Sequence, residues 1–164
     1  RTKSPLALLN KMKELTNRIF LQCDGETMFI GKPEDIILLC HHLFLTAGLL
    51  GVDLGYAVRK KYPGFCPYCD QPSCQCGIVK PNNHKRWDGP IPPESSLLDL
   101  QKMLAEIYHP ERRGLEYLVK KLLEEIAESQ EAIMDSVFIK VQEELADIFA
   151  RLASLAQTLK VPLS

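Results

Sequence analysis

An excess of positive charge is the first thing this 164-residue chain lacks: 20 Lys and Arg stand against 21 Asp and Glu, a net charge of −1. Binding nucleic acid through overall charge is disfavoured, since phosphate contacts supply most of that affinity, and no nucleic-acid partner is expected. The chain also lacks a membrane-spanning run. Its longest apolar stretch, Ile36–Leu50, is broken by His41 and His42 and is too short to cross a bilayer. That stretch reads as a buried helix, with the two histidines as packing residues rather than ligands, and no membrane partner is expected. No signal peptide is legible, so a cytoplasmic location is the expectation. No segment alternates apolar and polar residues for long, which argues against a sheet architecture. What remains, at 46 % hydrophobic residues, is a globular all-α protein with material for one good-sized core or two small ones.

Helical spacing runs from Pro5 to about Gln22 through Leu6, Leu9, Met12, Thr16 and Ile19, and stops at the Asp24-Gly25 turn signal. Pro33 with Glu34 and Asp35 suits the first turn of a second helix, reaching Thr46–Gly48. A further helical piece over 53–61 ends at Pro63-Gly64. Residues 65–94, rich in Cys, Pro and Asn, have loop composition. Order resumes at Ser96, whose spacing to Asp99 is a capping box, and His109-Pro110 ends the helix it opens. Two long helices follow, 115–133 and 139–160, joined near Asp135–Ser136. The chain thus divides into a helical half (1–64), a Cys-rich loop and Pro-rich linker (65–94), and a second helical half (95–164).

The second half concentrates acid. From Glu116 to Asp147 nine acids face three lysines. Five of these acids form a pattern, Glu124-Glu125-x-x-Glu128 and Glu144-x-x-Asp147. Glu128 and Glu144 lie symmetrically about position 136, as do Glu125 and Asp147, so an antiparallel helix pair brings the four together. A solvated acidic face is the plain alternative. Against it, Glu125 continues the apolar stripe Leu115, Leu118, Leu122, Ile126, and Glu144 lies on or beside the stripe Val141, Leu145, Ile148, Leu152, Leu155. Carboxylates on a core-facing stripe are costly unless paired or metal-bound, and four together repel unless a cation sits among them. Oxygen-only donors favour Mg²⁺ or Mn²⁺, and such sites commonly serve phosphate chemistry.

A weak internal repeat is also present. Leu9–Glu14 resembles Val119–Glu124, Asp35-Ile-Ile resembles Asp147-Ile-Phe, and Leu50–Leu54 resembles Leu159–Leu163. In that register Leu15, Arg18 and Lys32 stand where Glu125, Glu128 and Glu144 would be, so the first half reads as a copy that lost its metal site.

The segments Leu118-Val-Lys-Lys-Leu-Leu-Glu-Glu-Ile-Ala-Glu128 and Glu143-Glu-Leu-Ala-Asp-Ile-Phe149 resemble the two metal-binding helices of the MazG-like, all-α nucleoside triphosphate pyrophosphohydrolases, over about residues 97–160. The resemblance implies a four-helix-bundle core, here as an internal pseudo-dimer, and hydrolysis of a nucleoside triphosphate to monophosphate and pyrophosphate. It implies Glu125, Glu128, Glu144 and Asp147 as metal ligands, Glu124 as an accessory ligand or the group orienting the attacking water, and Lys140 as a phosphate contact. It also implies a homodimer or higher homo-oligomer. Members of the family usually continue past the last helix into a short basic helix that holds phosphates. The comparable segment here is Asp53–Pro63, so Arg59, Lys60 or Lys61 is expected at the active site, within the chain or across a dimer, with a basic helix end complementing its own dipole as the alternative. Lys121, Arg112 and Arg113 are further phosphate candidates, or plain surface charges.

Cys66, Cys69, Cys74 and Cys76 form C-x₂-C-x₄-C-x-C, a pattern suited to a structural Cys₄ zinc clip; disulfides and an iron–sulfur cluster are the alternatives. Lys80, His84, Lys85 and Arg86 beside Trp87 make only a thin basic patch, and a lone loop Trp packs on its own domain more often than on a base. Cys23 and Cys40 read as core residues. A non-catalytic module that senses nucleotides or binds a partner remains the alternative to an enzyme.

Overall fold

The structure is a computed structural model that describes residues 4–78 and 93–164; the basic patch around Trp87 lies outside the described residues. The first helix, α1 (Pro5–Ile19), opens on Ser4, whose hydroxyl accepts the Ala7 N–H at 3.1 Å. It stops short of its expected end. Phe20–Cys23 (β1) and Glu26–Phe29 (β2) instead pair antiparallel about Asp24-Gly25. Both turn residues have positive φ, 51° and 79°, the type I′ geometry that matches the twist of the strands. The Phe20 and Phe29 rings meet at 5.4 Å. Turn chemistry and this cross-strand pair outweigh one more helical turn, and Cys23 is thereby exposed on a strand instead of buried in a helix.

The remaining elements are helical: α2 (Pro33–Leu49), α3 (Leu54–Lys61), α4 (Leu97–Tyr108), a 3₁₀ turn (Pro110–Arg112), α5 (Leu115–Met134) and α6 (Phe138–Thr158). The capping box predicted for α4 is present, with Ser96 and Asp99 bonding each other's backbone N–H. The fold is therefore all-α apart from the small hairpin, and no single helix among the described residues is long and apolar enough to cross a membrane. α1 packs on α2 and α5 on α6; α1 also meets α5, and α2 meets α6, so two helical hairpins build a four-helix core. One cluster of buried side chains runs through both halves. Helix α6 is its axis: α2, α3, α4, α5 and the 3₁₀ turn all lie against it.

Helix α2 is buried on one face only. Ile36, Leu39, Cys40 and Leu43 are in the core, whereas Leu38, Leu45 and Leu49 are 40 %, 57 % and 48 % exposed. The expectation of an all-round buried helix fails because α1 and α6 cover only that one side.

The two hairpins also correct the register of the repeat. Leu50 N–H bonds Thr46 O, Gly51 N–H bonds Gly48 O and Val52 N–H bonds Ala47 O; Leu159, Lys160 and Val161 make the same three bonds to Leu155, Gln157 and Ala156. Gly51 and Lys160 share the positive φ, 69° and 58°. Carried back along the helices, this match aligns the buried Ile36, Leu39, Cys40 and Leu43 with the buried Leu145, Ile148, Phe149 and Leu152. Asp35 then stands opposite Glu144 and Leu38 opposite Asp147, not Lys32 and Asp35 as the local sequence match suggests. Asp35 is engaged in its own helix start, accepting the Lys32 N–H at 2.8 Å. In α1, Leu15 and Arg18 keep their places opposite Glu125 and Glu128.

Gln101 of α4 fastens the segment after α6. Its amide donates to Val161 O at 3.0 Å and accepts the Leu163 N–H at 2.8 Å, all in buried surroundings. Gln101→Leu should leave both backbone groups unpaired and lower the unfolding free energy by about 2–4 kcal/mol, measured by denaturant titration; a loss within error would show that this tail is not fixed by Gln101.

Candidate metal centre

Three of the four carboxylates predicted to converge meet directly. Oxygens of Glu125, Glu144 and Asp147 all lie within 4.8 Å of one another. Glu125 sits on the buried stripe of α5, and Asp147 on the part of α6 that α3 covers. Glu128, one turn beyond Glu125 and exposed, adds its charge to both Glu125 and Glu144. Glu124 is outside this triad and pairs with Lys121 at 3.1 Å. Lys140 is exposed and makes no ion pair among the described residues.

Two cations already stand among the acids. Lys61, at the end of α3, donates to Asp147 Oδ2 at 2.7 Å, so the basic segment of the first half reaches the acids of the second within one chain. Arg59 turns back to bond Gly55 O at 3.2 Å, and Lys60 lies 5.8 Å over the Tyr56 ring. Arg151 approaches Glu125 Oε1 at 3.5 Å, and the buried Tyr62 hydroxyl donates to Asp147 Oδ1 at 2.5 Å. Sequence reasoning missed Arg151 and Tyr62. Arg151 was within reach, because it lies four residues after Asp147 on the same helical face. Tyr62 carried no local signal: its partner is 85 residues away.

Electrostatic strain persists despite these partners. Burial first, then the Asp147 charge, raises the Glu125 carboxyl from an ordinary 4.5 to about 7 and that of Glu144 to about 8. Glu125 Oε2 and Glu144 Oε2 are buried with no hydrogen-bond partner.

Beside the acids opens a pocket of about 170 Å³, lined by Glu125, Asp147, Arg151, Arg113 and Tyr62, Tyr68, Tyr108 and Tyr117, and also by Cys66, Cys74 and Cys76. Arg113 stacks on Tyr117 at 4.6 Å, and Lys121 lies 5.7 Å from the same ring. Arg112 belongs to the 3₁₀ turn and is exposed. The four predicted cysteines also converge, their sulfurs within 4.8 Å of one another. Cys40 is in the core, as expected. His41 is exposed, and His42 bonds the Leu38 carbonyl at 2.8 Å, so neither joins the site.

Comparison with protein families matches residues 113–162 to the MazG nucleotide pyrophosphohydrolase domain, so the second half of the chain is MazG-like. That stretch contains all of α5 and α6, with every acid of the cluster. No curated protein and no solved structure gives a match.

The raised carboxyls set a pH dependence. Folded, Glu125 and Glu144 keep their protons to about 7 and 8; unfolded, they release them near 4.5. The folded state therefore binds more protons across that window, and without a divalent cation the stability these two groups contribute is full below about 4.5 and is lost as pH rises towards 8. Melting temperature should drop between about pH 5 and 8.5, and Mg²⁺ should restore more of it at the upper end, where the acids are ionised. A pH-independent melt over that range would contradict the arrangement.

Proposed function

We propose that this MazG-like chain is a Mg²⁺-dependent nucleotide pyrophosphohydrolase that converts a nucleoside triphosphate to its monophosphate and pyrophosphate. The observation that carries this reading is the pair of partnerless buried oxygens, Glu125 Oε2 and Glu144 Oε2, in a triad with Asp147 that Glu128 borders. Buried anionic oxygens without donors are costly, and a hard divalent cation with oxygen ligands answers that cost. Four acids against Lys61 and Arg151 leave a formal −2, the charge of one such ion. Glu125, Glu144 and Asp147 would hold it, with Glu128 at the exposed edge. When bound, Mg²⁺ or Mn²⁺ lowers the pKa of coordinated water and offsets negative charge on the phosphates.

The chain's own residues supply the rest. Lys61 has a flexible stem and a point charge, and can transfer its ammonium from Asp147 to a phosphate oxygen. Arg113 and Lys121 bring positive charge to the Tyr117 side of the pocket. The tyrosine rings offer faces on which a base can stack. At about 170 Å³ the pocket is smaller than most whole-ligand sites, so it suits a base with the phosphates outside, on the acids. Glu124, which pairs with Lys121 outside the triad, keeps the proposed role of orienting the attacking water. Arg59, Lys60 and Lys140 have no role in this reading. The four-helix core closes within one chain.

Pyrophosphate release over a panel of nucleoside and deoxynucleoside triphosphates with Mg²⁺ tests the proposal. Glu125→Gln and Asp147→Asn should each lower kcat on the order of a hundredfold or more, and Lys61→Ala should raise KM roughly tenfold with a smaller effect on kcat. A chain that turns over no nucleotide, or a Glu125→Gln variant as active as the wild type, would leave a nucleotide-binding module without catalysis.

A further inference from the structure

The cysteine cluster is more than a clip between halves, because Cys66, Cys74 and Cys76 line the same pocket as Glu125 and Asp147. Its geometry suits zinc. A tetrahedron with Zn–S bonds near 2.3 Å places its sulfurs about 3.8 Å apart, and Cys66 Sγ and Cys76 Sγ stand 3.7 Å apart. The Gln75 N–H points at Cys69 Sγ from 3.3 Å, the kind of donor that supports a metal-bound thiolate. Asp70 closes the Cys66–Cys69 turn with a φ of 56° and an N–H bond to Cys66 O at 2.9 Å.

The knuckle is tied to the rest of the molecule at two places. On one side it is fastened to the end of α4: Cys74 N–H bonds Ile107 O at 2.6 Å, Ser73 Oγ meets His109 Nε2 at 2.8 Å, and the Tyr108 hydroxyl donates to Cys66 Sγ at 3.6 Å. On the other side the chain leads back within four or five residues from Cys66 to Tyr62 and Lys61, both bonded to Asp147. Tyr62 also packs edge-on against Tyr108, at 6.0 Å between ring centres. Tyr68, inside the knuckle, lies close enough to Lys61, Asp147, Glu125 and Arg151 to feel all four charges. The helical core, by contrast, is built where α1, α2, α5 and α6 meet one another.

We propose that residues 66–76 are a zinc knuckle whose metal shapes the nucleotide pocket: Zn²⁺ on Cys66, Cys69, Cys74 and Cys76 fixes the pocket wall and holds Lys61 and Tyr62 on Asp147. Without zinc the helical bundle stays folded and the pocket loses its wall. The metal assignment stands on the cysteines alone; what the pocket takes rests on the nucleotide reading.

The test uses the full chain. Protein purified without chelators should carry one zinc, and Co²⁺ in its place should show the intense visible absorption of a tetrahedral four-thiolate site. Stripping zinc under reducing conditions should leave far-UV circular dichroism unchanged. It should speed amide hydrogen exchange over residues 61–76 and 107–109 while α1, α2, α5 and α6 keep their protection. Affinity for a non-hydrolysable nucleoside triphosphate analogue should fall about tenfold or more, as expected when a pre-formed site is lost, and return on adding Zn²⁺. Cys74→Ser should reproduce the stripped state. Absence of a four-thiolate Co²⁺ spectrum overturns the proposal. So does collapse of the whole helical signal on stripping, and so does equal analogue affinity in loaded and stripped protein. If neither form binds any analogue, the nucleotide reading fails, and the exchange pattern alone decides whether zinc orders the wall.

Discussion

Buried negative charge where α5 meets α6 is the constraint the rest of the molecule accommodates. Glu125 and Asp147 are both nearly covered, and Glu144 has an oxygen with no partner. In a hydrophobic bundle such groups are destabilising unless something compensates them. The chain compensates with Lys61 and Tyr62 from α3 and Arg151 from α6. Protons on Glu125 and Glu144 supply the remainder near neutral pH. A divalent ion can replace those protons, which is why the stability of the bundle and the chemistry of the site are one electrostatic problem.

That constraint falls on one of two structurally similar halves. They share the helix-end geometry that carries Gly51 and Lys160 through positive φ, and they bury equivalent apolar residues. Only one half carries the acids. In the other, Leu15 and Leu38 occupy two of the carboxylate positions, Arg18 a third, and Asp35 caps α2. Freed of the site, the first half turns its helix junction into a β-hairpin and sends α3 across to α6. The halves have divided the work: one holds the acids and the other the cation that meets them.

The pocket has two kinds of donor set. Hard carboxylate oxygens of Glu125 and Asp147 and soft thiols of Cys66, Cys74 and Cys76 line it together, and the two select different metals. Tyr62 and Tyr68 feel the carboxylates and Tyr108 the cysteine sulfurs, and Tyr62 packs edge-on against Tyr108, which is the contact between the two sets that the proposed zinc would order.

Much of this was legible locally. The spacing of Glu125, Glu128, Glu144 and Asp147 on apolar stripes placed an acid cluster in the core. The Ser96–Asp99 box marked a helix start, and the cysteine spacing marked a compact knuckle. Asp24-Gly25 announced its turn, although helical spacing masked the strands beside it. Each of these depends on interactions within a few residues or on helical periodicity, both of which a sequence records. The exposed face of α2, the true register of the repeat, the hold of Tyr62 and Lys61 on Asp147, and the place of the cysteines in the pocket wall were not legible. They depend on which surfaces meet across long stretches of chain, 85 and 86 residues for Tyr62 and Lys61 on Asp147. That was decided only when α3 and α4 packed against α6, because burial and charge compensation belong to the assembled core and not to any one segment.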